Sequence, residues 1–271
     1  MCPRKTLTIT AALLAIAATA SASGTCQNVI VPLYIYPGTT TQRAIWTAAI
    51  RTVGAGHSAT MIINPNNGVI SGLSAGDITN WTWAINTVLA GTGWKAAAYV
   101  HTSYATRALA SVEADIQGYV TNFPGVHSVF VDEVSTSSST SSYYQSLLTY
   151  IHNQTQFSAA NVILNPGAYP TTNWMLTLTH PAGTTTIVNG WENDYGAVGF
   201  NPAPPAWTSS YPVWNFAAIV YDAPSAALSP VLVTSAGTGH MGNIFVTDQT
   251  NFVTGLPSYY SSLIAWTGTC P

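Results

Sequence analysis

Charge is scarce in this sequence: six Lys and Arg and nine Asp and Glu in 271 residues. So few basic residues leave no patch for nucleic acid or anionic lipid, and neither is expected as a partner. Cysteine is scarce too, with three residues, Cys2, Cys26 and Cys270. The six His are scattered without an H-x-x-x-H spacing or a His/Cys cluster, so no metal site is expected. No Walker loop occurs and no G-x-G-x-x-G follows a strand-like run, which argues against a nucleotide or any other cofactor. Serine-nucleophile chemistry is not expected either, since VTSAG at Val233–Gly237 is not a nucleophile elbow. Beyond the N-terminus, every apolar run is short and interrupted, so no membrane span is expected.

What is present reads as a secreted chain. Arg4 and Lys5 precede an apolar run, Leu7 to Ala20, and then the small residues Ser21, Ala22, Ser23 and Gly24. That order is a signal-peptide pattern, so residues 1–23 are expected to be removed and 24–271 to form one domain. The remaining chain has a formal charge of about −5 and keeps two cysteines near its ends. In an oxidising compartment Cys26 and Cys270 are expected to pair, which would contribute ~5 kcal/mol in the chain-entropy model. Two sequons, at Asn80 and Asn153, are candidate glycosylation sites. A monomer is expected.

Eight apolar, β-branched runs are bounded by turn residues: Val29–Tyr36, Ala59–Asn64, Lys95–Thr102, His127–Val134, Asn161–Asn165, Thr185–Glu192, Asn215–Asp222 and Met241–Asp248. Most are apolar on both parities, which marks strands buried on both faces, as in parallel sheets. Thr41–Val53, Ala75–Leu89, Thr106–Asn122 and Ser141–Asn153 have helical spacing, while Thr171–Leu178, Pro202–Tyr211 and Ser225–Thr234 read as weak helices. The alternation predicts an α/β fold, a single (β/α)8 TIM barrel, with an open doubly wound sheet as the alternative.

In such a barrel, chemistry sits where the strands end. Six of the nine acids fall there: Asp132, Glu133, Glu192, Asp194, Asp222 and Asp248. The other three, Asp77, Glu113 and Asp115, fall in predicted helices and are expected at the surface or in caps. The run VFVDEV sets Asp132 beside Glu133, and acids crowded into a low-dielectric cleft push one another's pKa up. Neighbouring strand ends add Tyr34, Asn64, Tyr99, His101, Asn165, Trp191 and Tyr221. Aromatic faces with Asn and His donors suit a sugar, so these seven are candidate substrate-binding residues.

The strand ends resemble a known family, the spherulin 4 proteins, which include fungal glycoside hydrolases of family 135. The resemblance rests on VPLYIYPG, IINPNNG, AYVHTSYATR, VFVDEV, Tyr143-Tyr144, VILNPG and the WEND of Trp191–Asp194, in order along roughly 60% of the chain. It implies a secreted barrel that cleaves α-1,4-linked galactosamine and N-acetylgalactosamine polymers of fungal walls and biofilms. It also implies that Asp132, Glu133 and Glu192 carry the reaction. On that basis Asp132 is the expected nucleophile or ionised stabiliser, Glu192 the acid/base, and Glu133 a tuning or binding group. Two stretches depart from the family pattern: Gly68-Val69-Ile70, where many members have Gly-Pro, and the Ser/Thr-rich Ser135–Ser142 after the acids. The alternative reading is a spore-coat or wall protein that binds polysaccharide without cleaving it. A barrel aldolase or isomerase is disfavoured because Lys95 begins a strand, at the wrong end for catalysis.

Overall fold

Eight short parallel strands close on one another in chain order, and β1 returns to pair with β8. The computed structural model describes residues 27–250 and 255–267. The expected leader and both cysteines of the expected pair lie outside them. The strands are β1 (Asn28–Pro32), β2 (Ala59–Ile63), β3 (Trp94–His101), β4 (Ser128–Asp132), β5 (Val162–Leu164), β6 (Thr186–Asp194), β7 (Phe216–Tyr221) and β8 (Asn243–Val246). Each coincides with one of the eight apolar runs. Consecutive residues such as Val129, Phe130 and Val131 are all buried, one parity facing the barrel interior and the other the helices.

The helices on the outside are α1 (Thr40–Ala49), α2 (Ala75–Leu89), α3 (Leu109–Asn122), α4 (Ser141–Asn153), the single turn α5 (Tyr195–Val198), α6 (Leu228–Ala236) and α7 (Tyr260–Trp266). Capping boxes start α1 and α2: Thr39 pairs with Gln42, and Ser74 with Asp77. Trp46 of α1 and Trp81 of α2 then meet edge to face at 5.9 Å in the core. Each such buried ring contributes about 2–3 kcal/mol.

Two expectations are corrected here. The Ser225–Thr234 segment carries a well-formed helix, α6, despite Pro230. Proline costs little there because it stands in the first turn, where its missing N–H has no intrahelical partner. Asp115 is not a surface residue. It is 4% exposed and paired with the guanidinium of Arg107, which also donates to the His101 carbonyl at 3.1 Å.

Between β5 and β7 the ring of helices gives way to short 3-10 turns at Trp174–Leu176, Ala206–Ser210 and Val213–Asn215. Prolines 166, 170, 181, 202, 204, 205 and 212 interrupt helix formation over this stretch. Aromatic side chains seal the barrel instead, with Tyr169, Trp207 and Phe216 packed at about 6 Å centroid spacing.

Candidate active site

The end of β4 builds the centre of the site. The regular strand stops at Asp132, and Glu133 takes a left-handed conformation with φ +52°. Strand alternation would send the two neighbours to opposite faces. The left-handed residue cancels that alternation, and both acids line one cavity of about 410 Å³ at the C-terminal mouth of the barrel. Glu192, Asn165, Tyr104 and Tyr221 line it with them.

Asp132 is held by three donors. Oδ2 accepts from the Tyr99 hydroxyl at 2.7 Å, and Oδ1 accepts from the Glu133 backbone N–H at 2.8 Å and from Asn165 Nδ2 at 2.7 Å. The same Asn165 nitrogen donates to Glu192 Oε2 at 2.5 Å. Sharing one nitrogen, the two carboxylate oxygens stand no more than about 5.2 Å apart. Asn165 is fixed in turn: its Oδ1 accepts from the Gly167 N–H at 3.1 Å, and the buried Asn189 amide lies 2.7 Å from it.

Glu192 reaches this position because β6 carries a bulge at Gly190, between Asn189 and Trp191. A bulge re-aims the residues that follow it. Glycine is required there, since a Cβ would come within 2.4 Å of the Tyr169 ring.

The two carboxyls sit in different electrostatic surroundings. Burial raises the Glu192 pKa to about 7, with the Asp132 charge adding to the rise and the Asn165 bond opposing it. Burial also raises Asp132, but the bonds from Tyr99, Glu133 N–H and Asn165 all favour its ionised form. Near neutral pH Glu192 is therefore placed to carry a proton, while the three donors to Asp132 favour its ionised form against the net rise that burial imposes.

The predicted binding residues divide into groups. Tyr99 lies beneath Asp132 as a hydrogen-bond donor. His101 backs Glu133, with Nδ1 3.3 Å from its carboxylate, and Tyr221 lines the cavity. Tyr34 and Asn64 line a second cavity alongside. Trp191 is the exception. It does not line the acid cavity, its ring meets Phe200 edge-on at 5.5 Å, and its indole N–H is buried without an acceptor among the described residues. Its half-buried ring thus packs beside the acid cavity rather than lining it. Of the sequons, Asn153 is exposed at the end of α4. Asn80 stands inside α2, its amide occupied by Arg43 and the Tyr36 hydroxyl.

Tyr104 is the site residue that the strand-end pattern left unassigned. It is 61% exposed over the acid cavity and belongs to a run of three non-glycine residues at positive φ, Ser103 (46°), Tyr104 (57°) and Ala105 (68°). The Tyr104 N–H donates to the Glu133 carbonyl at 2.7 Å, tying the two left-handed segments together. Such conformations cost roughly 1–3 kcal/mol per residue and gather at functional sites. The only advance signal was the position of Tyr104 just past a strand end.

One G-x-S-x-G string does occur, at Gly72–Gly76, and the structure gives its serine a structural role. Ser74 is the N-cap of α2, its hydroxyl donating to Asp77 at 2.7 Å, and not the apex of a strand-to-helix elbow.

The model of the spherulation-specific family 4 matches residues 28–267. Spherulin-4 of Physarum polycephalum is 32% identical over 221 residues, which are 82% of this chain and 63% of that protein. The match thus spans less than two thirds of that relative's length. A crystal structure of Aspergillus clavatus Sph3 in complex with GalNAc superposes with a TM-score of 0.70 at 20% identity, covering 91% of this chain and 99% of that one. At that identity the likeness is one of fold.

Proposed function

This chain belongs to the spherulation-specific family 4, and on that premise we propose that it is a secreted glycoside hydrolase. Its proposed substrate is an α-1,4-linked galactosamine/N-acetylgalactosamine polysaccharide of fungal wall or biofilm, cut within the chain. The observation that carries the reading is the Asn165 bridge, which sets a carboxylate oxygen of Asp132 and one of Glu192 within about 5.2 Å of each other. Retaining glycosidases hold their carboxyls at roughly 5–5.5 Å, whereas inverting ones need roughly 6.5–9.5 Å to admit water. The sugar class is supported by the amino sugar in the crystal structure of the structural relative and by the strand-end resemblance described above.

In the proposed reaction Glu192 protonates the glycosidic oxygen as Asp132 attacks the anomeric carbon. The leaving sugar departs, and a glycosyl ester forms on Asp132. Water then enters, Glu192 takes its proton, and the ester opens with net retention. An α-linked acetamido sugar carries its amide on the same side as the leaving group, so the amide cannot attack from behind and a protein carboxylate must do so. Tyr99 and Asn165 orient Asp132 and disperse its charge. Glu133, braced by His101 at the rim, is placed to accept a substrate hydroxyl.

The test is cleavage of a purified α-1,4-linked galactosamine/N-acetylgalactosamine polymer, followed by proton NMR of the first-formed reducing ends. The expected product is the α-anomer. The β-anomer at early times would transfer the attacking role to water, and an intact polymer would leave the protein as a wall-binding barrel.

A further inference from the structure

The second cavity, of about 290 Å³, lies at the ends of β1 and β2 beside the start of α2. A single aromatic partition separates it from the acid site. Tyr34 lines it and meets the Tyr99 ring edge-on at 5.6 Å, and the Tyr99 hydroxyl reaches Asp132. A sugar chain seated on the acids would have this cavity as a neighbour.

Its polar wall carries one charged group, Asp77. Asn64 and Asn66 belong to that wall, and Asn66 donates its amide to the Val69 carbonyl at 2.9 Å. Asp77 is half-buried, with its carboxylate on this wall. Bonds from the Tyr36 hydroxyl and from Ser74 hold it below the usual carboxylate range, so it is ionised. Among the described residues, no Lys, Arg or His lines the cavity. Arg43, on the neighbouring α1, is directed elsewhere: it donates to the Pro37 carbonyl and to Asn80, and its guanidinium lies 4.7 Å from the Trp83 ring.

The apolar wall is fixed in advance. Tyr36 is 39% exposed, yet its hydroxyl both donates to Asp77 and accepts from Asn80, each at 2.7 Å. Its ring lies edge-on to Trp81 at 6.1 Å and over Gly38, where a Cβ would approach to 2.3 Å. A ring held on three sides binds a flat face without losing rotamer freedom.

We propose that this cavity is a second sugar subsite, and that it selects an unacetylated amino-sugar unit: the protonated amine faces Asp77, and the ring lies on Tyr36. The proposal rests on the glycoside hydrolase reading above and adds to it a preference for partly deacetylated chain. An acetamido group is neutral and carries one N–H, so it would lose the charge contact and keep at most one hydrogen bond.

The experiment uses the full chain with Glu192→Gln, so that ligands are bound without being cut. Calorimetry compares an α-1,4-galactosamine oligosaccharide with its fully N-acetylated counterpart, at a pH where the amine is protonated. Adding Asp77→Asn, which preserves the helix cap, should weaken the unacetylated oligomer about tenfold and the acetylated one by less than about twofold. High salt should erode the preference in the Asp77-bearing protein, a readout that does not depend on how the variant folds. An equal effect on both oligomers, or a preference insensitive to salt, overturns the proposal. Binding of the acetylated oligomer alone overturns it while leaving the hydrolase reading intact. Binding of neither removes both.

Discussion

Replacing Glu192 with glutamine should make the protein both less active and more stable, and the gain in stability should grow with pH. In the fold Glu192 titrates at about 7, against an ordinary value of 4.5. The folded state therefore keeps a proton that the unfolded chain releases. The stability linked to that proton is fully present below pH 4.5 and is lost as pH rises through about 7. Every tenfold difference in acidity between the folded and unfolded chain is worth about 1.4 kcal/mol, so the loss approaches about 3 kcal/mol in mildly alkaline solution. Glutamine cannot ionise, and its side-chain oxygen can still accept from Asn165, so Glu192→Gln removes the alkaline loss. Thermal melts of parent and variant should nearly coincide near pH 4 and separate by roughly 6–12 °C in alkaline buffer for a domain of this size. Asp132 and Glu192 titrate as a pair, so the midpoint of the divergence belongs to both. Turnover should fall by about 10²–10⁴-fold, the range for loss of a general acid. Melting curves that stay parallel across pH would refute the claim that Glu192 is held protonated, and with it the assignment as acid.

Two further substitutions probe the supports of the site. Tyr104→Ala should raise KM and lower kcat/KM about tenfold with little change in melting temperature, since about 1–2 kcal/mol of ring contact is lost, while Tyr104→Phe should restore most of it; equal loss in both variants would show that the ring is not the contact. Arg107→Met should cost about 3–5 kcal/mol in chemical denaturation because it strands Asp115 as a buried, unpaired charge, and adding Asp115→Leu should recover most of that; a mild single variant would mean the pair is solvated.

The strands were legible because a closed parallel barrel buries both faces of each strand, which leaves continuous runs such as Val129–Val131 in the sequence. Helical spacing with few breakers marked α2 and α4 with the bounds that they have in the structure. The acids were legible as a set because so few exist and because they follow strands. Their geometry was not. A regular strand sends Asp132 and Glu133 to opposite faces, and the left-handed backbone at Glu133, a tertiary effect in a non-glycine residue, is what turns both into one cavity. The place of Trp191 was hidden for a related reason: the bulge at Gly190 aims Glu192 at the cavity and leaves its neighbour packed against Phe200. Asp115 was misjudged because its partner Arg107 lies beyond the start of α3, outside any i, i+4 pattern.

The left-handed run at Ser103–Ala105 sets two kinds of laboratory selection against each other. A screen for heat resistance should favour glycine at Ser103 and Ala105, where φ is 46° and 68° and any side chain is strained. A screen for turnover should reject the same changes. Glycine would relax the backbone that carries Tyr104, and a ring free to swing loses the pre-organisation that makes it useful over the acids. Variants from the two screens should therefore diverge at these positions while agreeing through the barrel core, and the loop can be improved for one property only by yielding the other.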